Sequence, residues 1–373
     1  MIVQISYLPE ESYAKDLNKS FSINLTISGI IQQQMEKLSN ICSFHKIKLD
    51  TFNKTIPARN YLAFPENQLD ELIKGLIEAG LQEISNKIKK TAENYKNYDQ
   101  LPVKCGVVEF NEPVVMGILN VTPDSFSDGN KYLNKNTAVE YAVEMIENGA
   151  DIIDIGGEST RPGSDPVSEE EEFNRVIPVV EEIIKKKPDA LISIDTTKSK
   201  IAEEACKRGV KIINDISGLT FDPEIADVAF KYSASLIIMH IKGTPKTMQV
   251  NPLYNDLIFE IYEFFYNQAG AAKKAGVKNI FIDPGIGFGK KIEHNFKILK
   301  RLPDFKCLGY PILIGLSRKS FLGKTLDLDI KDRDTVTVAA ETIALRNGAK
   351  IIRTHNVPNA VRTKKLLKLI YTE

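Results

Sequence analysis

The sequence predicts an α/β fold: a (β/α)8, or TIM, barrel preceded by a small α+β unit. Three observations predict it. From residue 114 onward, short runs rich in isoleucine, leucine and valine recur eight times over about 260 residues, each followed by a stretch of helical character. These runs are continuously apolar instead of alternating, as strands covered on both faces are. Nearly every run ends on a polar or ionisable residue, and barrel enzymes carry their chemistry at the carboxyl ends of their strands.

The first hundred residues read differently. Phe21, Ile23, Leu25 and Ile27 alternate with polar neighbours over residues 20–27, which suits a half-buried strand, and a short helix follows near 29–39. Ile47 and Leu49 alternate with Lys46, Lys48 and Asp50, and a third short strand covers 60–64. Leu69, Leu72, Ile73, Leu76 and Ile77 recur at helical spacing, and the polar tract 86–100 reads as a charged connector. The expected division is an α+β domain over 1–100 and a barrel domain over 101–373. His45 has no partner cluster in the sequence and reads as a surface or structural histidine. No catalytic constellation stands out in this region; packing or assembly is its default role, and ligand binding the weaker alternative.

The barrel strands are expected near 114–120, 151–156, 191–195, 210–214, 235–240, 279–283, 311–317 and 349–355. Their endings are Asn120, then Gly156 to Arg161, Asp195, Asn214, His240, Asp283, Ser317-Arg318-Lys319 and Arg353-Thr354-His355. An acid after a strand is usually a cap or turn residue. Eight polar endings at one rim do not share that explanation, because unpaired desolvated ions cost several kcal/mol each unless a ligand or partner compensates.

Lysine plus arginine equals aspartate plus glutamate, 49 against 49, so no global field argues for nucleic acid or a membrane surface. Cys42, Cys105, Cys206 and Cys307 are dispersed with no CxxC pair, which fits free thiols in a reducing compartment better than disulfides or zinc. The start, MIVQISYLPEESYAKDL, has no basic leader or continuous apolar segment, and no later run reaches membrane-spanning length. The expectation is a soluble, cytoplasmic protein acting on small molecules.

Two kinds of group meet at the expected rim. Asp195, Asn214 and Asp283 suit a flat heterocycle with several N–H groups on one edge, since two adjacent N–H groups pair with one carboxylate as a guanidinium does. Arg161, Arg353 and His355 suit phosphate oxygens, and Lys319 serves either. A heterocycle carrying phosphate or diphosphate uses both sets.

Eight segments in order, GILNVTPDSFSDG (117–129), DIIDIGGESTRPG (151–163), ISIDTTK (192–198), IINDISG (212–218), MHIKGTPKTMQ (239–249), IDPGIGFGK (282–290), IGLSRKSFLG (314–323) and IIRTHNV (351–357), resemble the successive blocks of the dihydropteroate synthase family. The resemblance covers nearly all of 112–368 and leaves the N-terminal region outside. It implies displacement of pyrophosphate from 6-hydroxymethyl-7,8-dihydropterin diphosphate by the amine of 4-aminobenzoate. Carried over by position, Asp195, Asn214, Asp283 and Lys319 hold the pterin, Asn120 helps bind Mg2+ with the diphosphate, and Arg353 and His355 clamp its oxygens. Thr160, Arg161, Pro162, Phe288, Lys319 and Ser320 shape the aminobenzoate side. Phe126, Ser127 and Asp128 fall in the family's first mobile loop, Arg161 and Pro162 in the second, and both would close over the substrates. Asp128 and Arg161 join Lys319, Arg353 and His355 as the catalytic set, and a homodimer is expected.

Departures are few: Ile286 stands where an aromatic is frequent, Thr244 where Asn is common, and Asn356 where Asp is common after the histidine. His240 is balanced between a packed rim histidine and a ligand contact, and His294 reads as a surface or capping group. The glycines of DPGIGFGK lack the GKS/GKT ending of a phosphate loop and read as sites of close backbone approach. The lysine run 185–187 reads as a solvated helix face. Two competing readings are a methyltetrahydrofolate:corrinoid methyltransferase, which has no use for a diphosphate clamp, and a catalytically silent pterin-binding or assembly protein.

Overall fold

The computed structural model describes residues 1–6, 22–52, 59–106, 108–122 and 131–371. The chain forms two compact units. The first comprises Met1–Gln100 together with Ile258–Tyr266 and Arg301–Gly309, two segments that the sequence assigned to the barrel region.

In this first unit, β1 (Ile2–Ser6), β2 (Ser22–Ser28), β3 (Lys48–Phe52) and β4 (Arg59–Pro65) form an antiparallel sheet in the order β1-β2-β4-β3. The α1 helix (Gln32–Phe44) lies between β2 and β3 in sequence, and α2 (Leu69–Glu78) and α3 (Gln82–Asn97) follow β4. Alternation in β2 places Ile23, Leu25 and Ile27 in the core with Leu62, Phe64, Leu72 and Leu76. The β1 strand was not read in the sequence, because all five of its residues are buried and no alternation marks it. Tyr262 donates to the Val3 carbonyl at 2.8 Å, and Ser6 donates to Asp304, which also receives Arg301 at 2.6 Å.

The expected connector at 86–100 is a correction. Most of it is the helix α3, whose buried residues are Ile84, Ser85, Ile88, Thr91 and Ala92. Three of those five are small or polar, so the buried face carries little hydrophobic signal although its spacing is helical.

The second unit opens with a hairpin, β5 (Val103–Cys105) and β6 (Val108–Phe110), and continues into a closed barrel of parallel strands. In chain order its elements are β7 (Val114–Asn120), α4 (Lys131–Glu147), β8 (Ile152–Gly156), α5 (Glu169–Lys186), β9 (Ile192–Asp195), α6 (Ser199–Lys207), β10 (Ile212–Asp215) and α7 (Ile225–Lys231). Then come β11 (Ser235–Met239), α8 (Leu257–Lys274, of which Ile258–Tyr266 count with the first unit), β12 (Ile280–Asp283), α9 (Ile292–Lys300), β13 (Ile312–Gly315), α10 (Ser320–Leu326), α11 (Asp334–Arg346), β14 (Ala349–Thr354) and α12 (Val357–Tyr371). Each strand pairs with the next, and β14 pairs with β7 to close the circle.

Helix boundaries follow local chemistry, as α5 illustrates. Ser168 caps it by accepting from the Glu171 N–H at 3.2 Å, four glutamates occupy the first turn, and Lys185 and Lys186 close the last. Acids at the positive end and cations at the negative end both favour the helix.

The interior is layered. Val114, Met116, Ile152, Ile212, Ile237, Phe281, Leu313 and Ile351 pack with Val103 and Cys105 of the hairpin into one apolar core. Two residues further along the same strands, on the same inward face, stand Asp154, Asn214, Asp283 and Arg353. On these four strands the barrel therefore turns from dry to polar or ionic within one step. Phe281→Ala should remove a fully buried ring and lower stability by about 3–5 kcal/mol, read as a lower urea midpoint at unchanged slope.

Candidate active site

Register brings the strand ends level. Asn120 pairs with Gly156, Gly156 with Asp195, and Asp195 with Asn214 along one arc of the rim. Across the mouth, the Arg353 guanidinium donates through Nε to Asp154 Oδ2 at 2.6 Å and through Nη2 to Asp195 Oδ2 at 2.7 Å. Asn214 Nδ2 donates to the same Asp154 oxygen at 3.0 Å. One cation thus faces two buried carboxylates and cannot neutralise both. Burial pushes the Asp195 carboxyl up to about 8; Arg353 opposes this, while Asp154, Glu172 and Asp215 reinforce it.

Asp283 completes the acidic set. Its Oδ1 accepts the Gly285 N–H at 2.7 Å, yet burial still raises it to about 6. Burial likewise lowers Lys319 to about 8, with Asp283 and Asp195 pulling back up and Arg353 pushing down. The Lys319 ammonium stands over the Phe288 ring, 4.3 Å from its centroid, a cation–π geometry. Phe288 packs on an apolar floor of Ile216, Met239, Ile241 and Met248. Gly287 holds φ at 85°, a conformation that favours glycine, and its Cα faces the end of the Lys319 side chain.

His355 is set by Ser317, whose buried Oγ accepts the His355 backbone N–H at 3.1 Å and lies 3.0 Å from Nδ1. Burial, then Arg353, Arg318, Lys319 and Arg161, bring its imidazole down to about 4, so it is neutral at pH 7. Behind it, Arg318 makes a two-pronged pair with Asp334 at 2.7 and 3.0 Å, and Asn356 Nδ2 donates to the same acid at 2.9 Å. The departure at 356 therefore has a local use: an amide can donate to Asp334, where an ionised carboxylate would repel it.

Thr160, Arg161 and Pro162 lie on the β8–α5 loop, with Arg161 and Pro162 exposed. That loop is tied back by Ser164 Oγ, which donates to the Arg161 carbonyl at 2.8 Å, and by the Gly163 N–H to Pro245 O at 3.0 Å. Its base is held by Lys198, which bridges Glu158 and the fully buried Glu172 at 2.5 Å each. Ser320 begins α10 at the rim and is exposed. Phe126, Ser127 and Asp128 lie outside the described residues.

The structure thus gathers Asp195, Asn214, Asp283, Lys319, Arg353 and His355 at one mouth, and the charge of Arg161 reaches His355 from the β8–α5 loop. Arg353, expected with His355 at an anion, gives the hydrogen bonds of its Nε and Nη2 to Asp154 and Asp195. Asp154 was missed because only strand ends were read. Its signal was available: an acid inside the apolar run DIIDIG needs a buried partner. Of the other histidines, His240 is packed with Nδ1 2.9 Å from Lys290 Nζ, His294 accepts the Lys291 N–H at 3.2 Å as a helix cap, and His45 lies 3.5 Å from Glu71.

A family profile described as "Pterin binding enzyme" matches residues 116–355. The dihydropteroate synthase of Synechocystis is 49% identical over 246 residues, covering 65% of this chain and 85% of that protein. That of Escherichia coli K12 is 43% identical over 263 residues, covering 70% and 93%. Among solved structures, Yersinia pestis dihydropteroate synthase in a sulfonamide complex aligns with a TM-score of 0.69 at 39% identity, covering 73% of this chain and all of that one. The Xanthomonas albilineans dihydropteroate synthase in complex with 7,8-dihydropteroate aligns at 0.66 and 34%, covering 73% and 99%.

Proposed function

Because the chain belongs to the dihydropteroate synthases of the pterin-binding enzyme family, transferases of folate biosynthesis, we propose a division of labour among its rim residues in condensing 6-hydroxymethyl-7,8-dihydropterin diphosphate with 4-aminobenzoate. Asp195, Asn214 and Asp283 take the N–H edge of the pterin, with Asp154 fixing Asn214 and Arg353 behind them. The observation that carries this reading is the Asp154–Arg353–Asp195 chain, which joins the acids of the ring grip to the cation whose charge acts most strongly on His355.

The leaving diphosphate gathers negative charge as the C–O bond lengthens. Groups near it stabilise the transition state more than the ground state. Arg353 and Lys319 supply positive charge. His355, neutral at pH 7, offers an N–H from Nε2 in the tautomer whose Nδ1 accepts from Ser317 Oγ, 3.0 Å away. The methylene left behind is electron-poor and is stabilised by the dihydropterin, which favours early departure. The neutral arylamine then attacks, the C–N bond forms, and its surplus proton passes to the departing pyrophosphate or solvent. No strong protein base is required. Phe288, Lys319, Ser320, Thr160, Arg161 and Pro162 line the arylamine side and limit the access of water.

Asn120 fits a role toward magnesium. Among the described residues no cluster of three His, Cys, Asp or Glu could hold a metal. A single neutral oxygen donor at the end of β7 suits a cation carried mainly by phosphate oxygens and water. When bound, the ion would supply charge neutralisation for the leaving group. Asn120→Ala should raise the magnesium concentration needed for half-maximal rate; an unchanged magnesium titration would remove Asn120 from this role.

A second copy of the chain is a fitting partner, since Leu366, Leu369 and Ile370 on α12 and Ile343 on α11 are exposed and apolar. Sedimentation at twice the chain's mass would support it. Among the described residues no helix is long and apolar enough to cross a membrane, and the four cysteines are free and buried, which supports a reducing cytoplasm as its compartment.

Pyrophosphate release with both substrates and magnesium tests the reading. Release that depends on both substrates supports it. No release, with pterin still bound, would favour a silent binder.

A further inference from the structure

The loop after β12, residues 284–290, is fastened at more points than a pterin grip requires. Gly285, Gly287 and Gly289 all have positive φ, at 66°, 85° and 65°. A Cβ on Gly285 would stand 2.1 Å from the His240 carbonyl oxygen, and one on Gly289 would stand 2.4 Å from that of Lys242. The loop therefore lies directly on the backbone after β11, with no side chains between. Such an approach leaves buried carbonyls in need of donors.

Lys290 meets that need. Its Nζ, in a side chain only 2% exposed, lies 2.9 Å from the Phe288 carbonyl, 3.2 Å from the His240 carbonyl and 2.9 Å from His240 Nδ1. Further pins hold the same segment from outside: Gln249 Nε2 donates to the Gly287 carbonyl at 2.6 Å, and Tyr254 Oη to that of Gly289 at 2.8 Å. Asn295 Oδ1 accepts the Gly287 N–H at 2.8 Å. The Asp283 end is anchored separately, by Gly285 N–H to its carboxylate and by His240 N–H to its carbonyl at 2.9 Å. What the Lys290 and Gln249 bonds fix is the far end, which carries Phe288 between its apolar floor and the Lys319 cation.

We propose that Lys290, with Gln249 as its outer counterpart, is a positioning residue for the second substrate: it pins the glycine loop so that the Phe288 ring forms one wall of the arylamine subsite. This rests on the reading above that Phe288 and Lys319 flank 4-aminobenzoate. It assigns a task to a buried lysine whose Nζ is taken up by the Phe288 and His240 carbonyls and His240 Nδ1.

The test measures KM for each substrate by pyrophosphate release in wild type, Lys290→Met and Gln249→Ala, with thermal unfolding as a folding check. Losing the three polar contacts of Lys290 Nζ should raise KM for 4-aminobenzoate about tenfold in Lys290→Met, and losing the one Gln249 bond about threefold in Gln249→Ala. The KM for the pterin diphosphate should stay within about threefold, allowing for the loss of the Lys290 charge near Asp283. A purely structural lysine would lower the unfolding midpoint without separating the two KM values. Gln249 is exposed, so its variant keeps the test valid if Lys290→Met does not fold. Parallel changes in both KM values, or none in Gln249→Ala, overturn the proposal. A wild-type protein without turnover overturns the reading beneath it and the proposal together.

Discussion

Lys319→Ala is expected to lower kcat/KM by about 10²–10³ without lowering the unfolding midpoint. The two effects separate because of where this cation sits. Its nitrogen lies over Phe288 and within the fields of Asp283 and Asp195, and among the described residues it makes no side-chain hydrogen bond or close ion pair. Its charge is held desolvated for use at the mouth, so removal strands no tightly bonded partner. The same burial that makes it effective lowers its pKa to about 8, so the cation is present below that pH and lost as pH rises through it. Wild-type rates should fall on the alkaline side, and Lys319→Arg, which stays charged, should move that limb upward. A flat alkaline profile, or near-normal turnover in folded Lys319→Ala, would remove Lys319 from the reaction.

Arg353→Met should act on both stability and rate. It leaves Asp154 and Asp195 buried without their shared cation, a loss of about 3–5 kcal/mol, and lowers turnover at least about a hundredfold. The sign with pH follows from Asp195, already raised to about 8 with the arginine present. Removing the arginine raises it further, and a carboxyl whose folded pKa exceeds its unfolded value stabilises the fold at low pH and loses that contribution as pH rises. The variant should therefore resist urea better at pH 5 than at pH 8. Adding Asp154→Asn should recover part of the stability and none of the turnover. Equal urea midpoints at both pH values would show that the acids are not coupled through Arg353.

These results bear on what could be read from the chain. The eight barrel strands were legible because their runs are rich in isoleucine, leucine and valine, and Asp195, Asp283 and Arg353 because they end or nearly end such runs. Asp154 was hidden inside its run, and its importance depends on an arginine 199 residues away that only barrel closure brings near. Lys290 was hidden for another reason: lysines after glycine-rich turns are usually solvated, and nothing local tells that this one is roofed by the residues after β11. The α3 helix was masked by its polar composition, and β1 by burial along its whole length. Local pattern reveals elements, whereas pairings across the barrel depend on register, which no single segment encodes.

The central claim is that one mouth holds both a ring grip and an anion clamp, with Arg353 between them. A crystal structure of the protein with a non-hydrolysable pterin diphosphate analogue tests this most directly. The account predicts the ring's N–H edge within hydrogen-bond distance of Asp195, Asn214 and Asp283, and the diphosphate against Arg353 and His355. A ring bound away from those acids, or a diphosphate lying on the side of the mouth opposite His355, would contradict it.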